Sequence, residues 1–387
     1  MQRPFPKQDA VYLLGTGTVC ALGRDQGIVT ARLREAESPQ ASIALSDISK
    51  GKVSYFRSTT PGHTASLLPP AVVAAIDDAV AEAGLEDEAL AETAVFVGTS
   101  SLDIGYWEQR YTEALARGQA DFVPVESRYG GLAARIAEHI GSREREFVYN
   151  TACTSSANAL LHAARMVRAG FVRLALVVGV ELLNRISLEG FEALMLLSRD
   201  GVRPFDEKRS GLVLGEGVGA IILGGDADCT GTNPLRFVAG FSHTDTSNLT
   251  ASKSESIERS IRGALAEAGL LPENITAIKA HGTATALNDE TEAVGTRRVF
   301  PEQLPPLTSI KGSIGHTLGA CGALETAALS GCLHEGFLPP TAGFSRPDPK
   351  LGVVPMRTPL TMGRGVVLCN YFGFGGNNTS LIIEKSR

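Results

Sequence analysis

The sequence predicts a mixed α/β fold made of two similarly built halves, and three internal correspondences predict it. The phrase AEAGL appears at Ala81–Leu85 and again at Ala266–Leu270, about 185 residues later. Each time an apolar stretch with strand character follows, TAVFVGTS (Thr93–Ser100) and TAIKAHGT (Thr276–Thr283). A corner running into a helical stretch at Phe147–Gly170 is answered by SIKGSIGHTLGACGALETAALSG at Ser309–Gly331, and GEGVGAIIL (Gly215–Leu223) by GFGGNNTSLII (Gly373–Ile383). One echo arises by chance, but three in the same order ask for a duplicated architecture. Strands alternating with helices in each half give layers in which helices cover sheets. The joint falls near Gly224–Pro234, dividing the chain into 1–230 and 231–387.

The size agrees, since 387 residues exceed a single ordinary core. Hydrophobic residues are 43% and charged residues 20%, no apolar run reaches the length of a membrane span, and the N-terminus lacks a secretory pattern. A cytoplasmic protein without a membrane span is expected. Six cysteines (Cys20, Cys153, Cys229, Cys321, Cys332 and Cys369) are scattered without CxxC spacing, which suggests neither a disulfide framework nor a metal site. The net charge of −6 argues against general nucleic-acid binding.

Taken in order, Val11–Gly17 reads as a short strand, Ser38–Thr64 as a polar, irregular surface excursion, about Pro70–Ala83 as a helix, and Thr93–Ser100 as a fully buried strand. The stretch Phe147–Gly170 reads as a buried strand turning sharply into an amphipathic helix. Ala157, Leu160, Leu161, Ala164 and Val167 share one face, and Gly170 is a plausible stop. Cys153 stands at the corner. Free N–H groups and the positive end of the helix dipole there favour a thiolate, although a lone cysteine among alanine and serine is usually a small buried hydrophobe. The rest of the chain has to decide.

Two histidines bear on that choice. His281, in KAHGTATALNDETEA, follows the buried strand of the second half and precedes a polar turn and a helix carrying Glu290 and Glu292. His316 lies in SIKGSIGHTLGACGA, where glycines 312, 315, 319 and 322 let backbones approach closely. Functional residues of such folds gather on strand-to-helix turns, and the repeat puts Cys153, His281 and His316 on equivalent ones. Lys311 and Glu325 bracket His316 and are placed to flank the same pocket. The stretch Asn370–Leu381 (NYFGFGGNNTSL) is glycine-rich and aromatic without the GxxxxGK phosphate pattern, and reads as a wall whose backbone nears a reacting group. Glu216 in GEG reads as structural.

Five ordered motifs resemble the β-ketoacyl-acyl-carrier-protein synthases of the elongating kind, from the first strand to the last. They are TACTSS around Cys153, RPFDEKRSGLVLGEGVG (Arg203–Gly219), HGTATALND at His281, IKGSIGHTLGACGALE at Lys311 and His316, and FGFGGNN near the C-terminus. The resemblance implies a thiolase fold, two similar halves in an α-β-α-β-α arrangement with mixed five-stranded sheets. Initiating synthases are a weaker match because they pair cysteine with one histidine and one asparagine. Thiolases are excluded by the absent CxG motif, since Cys369 is followed by Asn370 and Tyr371.

The same resemblance implies roles. Cys153 accepts an acyl chain, His281 and His316 stabilise the enolate of a decarboxylating malonyl thioester, and Lys311 and Glu325 support the histidines. Phe374 supplies an oxyanion N–H with that of Cys153 and gates the pocket, and Asp289 is a supporting residue. No metal or redox cofactor is implied, because the substrates ride on the phosphopantetheine of an acyl carrier protein. Lys208 and Arg209 are docking candidates for that carrier by position only. A homodimer, or a heterodimer with a chain-length factor, is expected through the first-half sheet.

Departures from the common pattern include Ala286 and Asn288 in HGTATALND, the proline-free run His243–Ser256, the shortened region Gly105–Arg128 and SRPDP at Ser345–Pro349. They resemble synthases of aryl-polyene and related polyene clusters more than housekeeping fatty-acid enzymes. Two other readings are open, a chain-length-factor-like partner that has lost its nucleophile and a Cys-His hydrolase that releases free acid.

Overall fold

The computed structural model describes residues 5–45, 51–60, 68–101, 103–119, 130–229, 235–247 and 252–386. In the first half the elements are β1 (Tyr12–Val19), α1 (Gln26–Arg34), β2 (Ala41–Ala44), β3 (Lys52–Tyr55), α2 (Pro70–Ala83), α3 (Asp87–Ala91), β4 (Thr93–Gly98), α4 (Ile104–Ala116), α5 (Gly131–His139), β5 (Glu146–Tyr149), α6 (Ser155–Arg168), β6 (Leu174–Glu181), α7 (Arg185–Ala193) and β7 (Gly217–Gly224). The second half has β8 (Leu235–Thr244), α8 (Ser254–Ala268), β9 (Ala277–Lys279), α9 (Ala286–Val299), β10 (Leu307–Thr308), α10 (Lys311–Ile314), α11 (Cys321–His334), β11 (Phe337–Leu338), β12 (Leu360–Thr361), β13 (Gly365–Phe372) and β14 (Asn377–Lys385). The expected joint at residues 230–231 lies outside the described residues, as do parts of the 38–64, 105–128 and 243–256 stretches.

Ten strands hydrogen-bond in the order β10-β9-β13-β14-β8-β1-β7-β6-β4-β5. Between β1 and β8 only Tyr12–Arg236 and Leu13–Leu235 pair, so the assembly is two five-stranded sheets meeting at one edge. Counted outward from that edge, the orders β1-β7-β6-β4-β5 and β8-β14-β13-β9-β10 are the same. In both, the first two junctions are antiparallel and the last two parallel. The duplication read from three short echoes is therefore a duplication of sheet topology.

Period-2 alternation sorts each sheet into two faces. On β4, Ala94 and Phe96 face a central core shared with α6 and α11, while Val95 and Val97 face an outer core under α2 and α5. In the second sheet, Cys369 and Tyr371 on β13 join the central core, while Leu368 and Phe372 face α8 and α9. Five layers follow, with α6 and α11 as the inner pair. A strand covered on both sides must be apolar throughout, and β4, β6 and β7 are buried at every residue. Gly322 sets how closely the inner helices meet, because a Cβ there would lie 2.0 Å from the Ala157 nitrogen.

Two expectations are corrected, the burial of the strand before Cys153 and the irregularity of residues 38–64. The strand before Cys153 is not buried: among the described residues β5 is the outer edge of its sheet, and its residues are half-buried or exposed. The helix after it is amphipathic as expected, with Ala157, Leu160, Leu161, Ala164 and Val167 buried and His162 and Arg165 exposed, although its buried side is wide because α11 also packs on it. Residues 38–64 are not wholly irregular, since β2 and β3 pair antiparallel and Val53, Tyr55 and Phe56 are buried. Among the described residues no helix is long and apolar enough to cross a membrane.

Candidate active site

The turn at Cys153 is held by its own hydroxyls. Ala152 takes a left-handed φ of 51°, an unfavourable state for a residue with a Cβ. The Thr151 N–H donates to Ser155 Oγ (2.9 Å), Ser155 Oγ to the Ala152 carbonyl (2.6 Å), and Asn158 Nδ2 to Thr151 Oγ1 (2.8 Å). Thr379 of β14 donates to Asn158 Oδ1 at 2.9 Å, tying the turn to the other half. The TACTSSAN run thus carries most of the polar groups that hold this strained corner in place.

Cys153 is 4% exposed, and the backbone N–H groups of Phe374 and of Cys153 favour its thiolate. The thiolate expected from the helix terminus is not the resting state. Burial dominates and pushes the thiol up to about 11, against the lowering by Phe374 N–H and Lys311. Helix-end partial charges are weaker than the desolvation of a full charge.

His281 is fixed from behind. Its N–H and that of Gly282 donate to the two oxygens of Glu292, each at 2.8 Å, and burial pushes that carboxyl up to about 7. Its ring Nδ1 lies 3.3 Å from the Lys311 ammonium, which has only protons to offer, so Nδ1 accepts and the ring proton sits on Nε2. His316 is fixed by the first half: its N–H donates to the Val213 carbonyl (2.8 Å) and its carbonyl accepts from Gly215 (3.1 Å). The Leu318 N–H donates to His316 Nδ1 at 3.3 Å, with Cys321 Sγ also 3.3 Å away, so this ring too keeps its proton on Nε2. The rings meet edge to face, centroids 5.3 Å apart. Burial first, then the Lys311 charge, holds both well below the usual histidine range, so both are neutral.

Under the rings lies a charge cluster that water does not reach. Glu325 accepts from Lys311 through one oxygen and from Lys279 through the other, each at 2.5 Å, with all three side chains buried. Burial works against the Lys311 charge, but the neighbouring Cys321 and Glu325 more than offset it and its pKa is raised. Glu325 stays ionised despite burial because two ammoniums flank it.

One cavity of about 420 Å³ is lined by Cys153, His281, His316 and Phe374. Phe374 stacks on Phe191 of α7, centroids 5.5 Å apart, and Leu194, Met195 and Leu287 stand exposed around the rim. Residues from four separate motifs therefore share one space, with Lys311 and Glu325 directly beneath. Asp289 stands apart from the rings. It accepts from the N–H groups of Phe205 (2.7 Å) and Ala284 (3.1 Å), two residues at left-handed φ of 59° and 68°, so it pins backbone. Glu216 likewise accepts from Ser58 and Leu183 N–H groups. Lys208 is exposed, whereas the Arg209 guanidinium is committed to Asp348 at 2.7 Å.

Sequence reasoning missed Lys279, the Glu292 clamp and Cys321. Lys279 was within reach, since it stands two positions before His281 on a strand and so shares its face. Cys321 offered no signal, being one small residue among alanines and glycines.

Comparison with known proteins gives consistent matches. The family model described as "Beta-ketoacyl synthase, N-terminal domain" matches residues 63–228, and "Beta-ketoacyl synthase, C-terminal domain" matches residues 237–345. Nodulation protein E of Rhizobium meliloti is 31% identical over 97% of this chain and 99% of its own length. The 3-oxoacyl-[acyl-carrier-protein] synthase 2 of Synechocystis sp. is 31% identical over 76% of this chain and 75% of its own. Among solved structures, the ishigamide ketosynthase/chain length factor superposes with a TM-score of 0.89 at 27% identity, over 98% of this chain and 100% of that one.

Proposed function

The chain belongs to the β-ketoacyl synthase family, and from that premise we propose that it joins an acyl group held on Cys153 to a malonyl unit by decarboxylative condensation. The observation that carries this reading is the single cavity in which one thiol meets two neutral imidazoles, each with its Nε2 proton to donate.

The Cys153 sulfur attacks an acyl thioester, the carrier thiol leaves with the proton, and an acyl-enzyme remains. The Cys153 and Phe374 N–H groups, which favour negative charge at the sulfur, receive the oxyanion. A malonyl thioester then places its carbonyl oxygen on the two Nε2–H groups. Its carbon–carboxylate bond breaks, carbon dioxide leaves, and the enolate is held by those donors. The enolate carbon attacks the acyl carbonyl, and the tetrahedral intermediate expels the Cys153 thiolate, which regains a proton. Lys311 keeps His281 in the donating tautomer, and the Phe374–Phe191 stack closes the acyl side.

Both acyl groups arrive on an acyl carrier protein in this reading. A second ketosynthase-like subunit, identical or a chain-length factor, covers the β5 edge, which among the described residues pairs with β4 alone. The pathway we favour is aryl-polyene or a related polyene. Support comes from the sequence departures at Ala286 and Asn288 and from the likeness to a protein described as a ketosynthase/chain length factor.

Intact-mass analysis with acyl carrier protein, then with malonyl carrier protein, tests the reading. Acylation of Cys153 followed by a β-ketoacyl product supports it. Acylation followed by free acid indicates a hydrolase, and no adduct indicates a non-catalytic partner. Extension of saturated starters with refusal of polyenoyl ones would return the enzyme to ordinary fatty-acid elongation.

A further inference from the structure

We propose that Lys279 is a positioning residue of the condensing site: with Lys311 it grips Glu325 from both sides, and the positive charge left uncompensated keeps both imidazoles neutral donors. This deepens the condensing reading and rests on it for its catalytic meaning.

The geometry leaves Lys279 no other task in reach. Its ammonium is completely buried and donates to Glu325 Oε2 (2.5 Å) and to the Asn370 carbonyl (2.9 Å), while 3.6 Å above the Tyr371 ring it meets a π-face. All three of its protons are therefore directed. The other Glu325 oxygen holds Lys311, which reaches His281 Nδ1 at 3.3 Å. Burial lowers the Lys279 pKa and the Glu325 carboxylate works against that loss; with both lysines charged, two ammoniums against one carboxylate leave one positive charge where water cannot screen it. A buried pair can be self-sufficient, but an added ammonium raises the electrostatic cost, so it calls for an account beyond packing.

The account is the charge that develops in the reaction. Around the two rings stand Lys279 on β9, Lys311 on α10, Glu325 and Cys321 on α11, and Cys153 before α6, with Glu292 of α9 behind the His281 backbone. The lysines are the ammoniums among them, and Lys279 contributes to holding both imidazoles below their ordinary range. A fixed positive charge opposes an imidazolium and favours an enolate oxygen at the same place. Lys279 also fixes which Glu325 oxygen Lys311 receives, and thereby the direction from which His281 is addressed.

The test compares wild type with K279M, which keeps length without charge, and K279R, which keeps charge. Histidine-labelled protein is titrated by NMR, with the His281 and His316 signals assigned by single substitution. Removing the Lys279 charge, which contributes to holding both rings below their ordinary range, raises both imidazole midpoints in K279M, and K279R stays at the wild-type values. Unchanged midpoints in K279M overturn the proposal. Should K279M fail to fold, K279R decides: a rise there also overturns it. In parallel, the acid limb of carbon dioxide release from malonyl carrier protein moves up in pH together with the imidazole midpoints in K279M, whereas a uniform loss at every pH means a packing role. Wild type releasing no carbon dioxide refutes the condensing reading, while the imidazole titrations still decide on Lys279.

Discussion

The Lys311 ammonium lies 3.3 Å from Nδ1 of His281, and this contact determines what the ring can do. An ammonium only donates, so the ring must accept there and carry its proton on Nε2, toward the cavity. Replacing Lys311 by Met frees the tautomer and leaves Glu325 with Lys279 alone. Condensation should fall by about 10²–10³, the usual loss when one oxyanion donor is misplaced. Acylation of Cys153 should fall much less. Steady-state rates with malonyl carrier protein, set against acyl-enzyme formation by mass, check the split.

The buried thiol sets a second expectation. With its pKa pushed up to about 11, Cys153 is almost wholly protonated at neutral pH. Its alkylation by iodoacetamide should climb about tenfold per pH unit between pH 7 and 9.5, because only the thiolate reacts. A plateau already present at pH 7 would mean that the helix terminus had prevailed over burial.

Glu292 carries a pH dependence of known sign. Its folded pKa is raised from 4.5 to about 7 by burial, so its stabilising share is complete below pH 4.5 and lost as pH rises through 7. The loss is on the order of 3 kcal/mol, from the size of the shift. Glu292→Gln has nothing to titrate. Whatever its absolute stability, wild type should weaken relative to this variant between pH 4.5 and 7, which urea unfolding at several pH values measures.

Gly322 keeps the inner helices in contact. A valine there brings its Cβ to within 2.0 Å of the Ala157 backbone nitrogen, main chain that cannot swing aside. Overpacking of this sort costs about 1–3 kcal/mol, and the displacement parts Cys153 before α6 from His316 before α11. The variant should show both a lowered Tm and a condensation rate reduced more than its folded fraction explains. Thermal melts and rates at a temperature where it is folded separate the two.

Much of this was legible from residues alone. The echoes AEAGL to AEAGL and GEGVGAIIL to GFGGNNTSLII exposed the duplication, and the helix expected at about Pro70–Ala83 is α2 over the same residues. Helical and strand periodicities are local properties, and Cys153, His281 and His316 stand in motifs whose residue types already suit nucleophile and donor. The edge position of β5 was not legible, because its apolar letters Phe147 and Val148 do not say how many neighbours the strand has. Nor was the β2–β3 pair, whose alternation is only four residues long on each strand.

The sequence by itself determined that there are two alike halves, which residues bear reactive groups, and on which turns they sit. Only the tertiary structure decided their state: a protonated thiol, two neutral rings with Nε2 protons, and a carboxylate shared by two lysines. Protonation follows from desolvation and from charges brought close in space, and Lys279 reaches Glu325 across 46 positions of chain. No spacing in the sequence measures that approach, whereas the packing of α11 against the second sheet produces it.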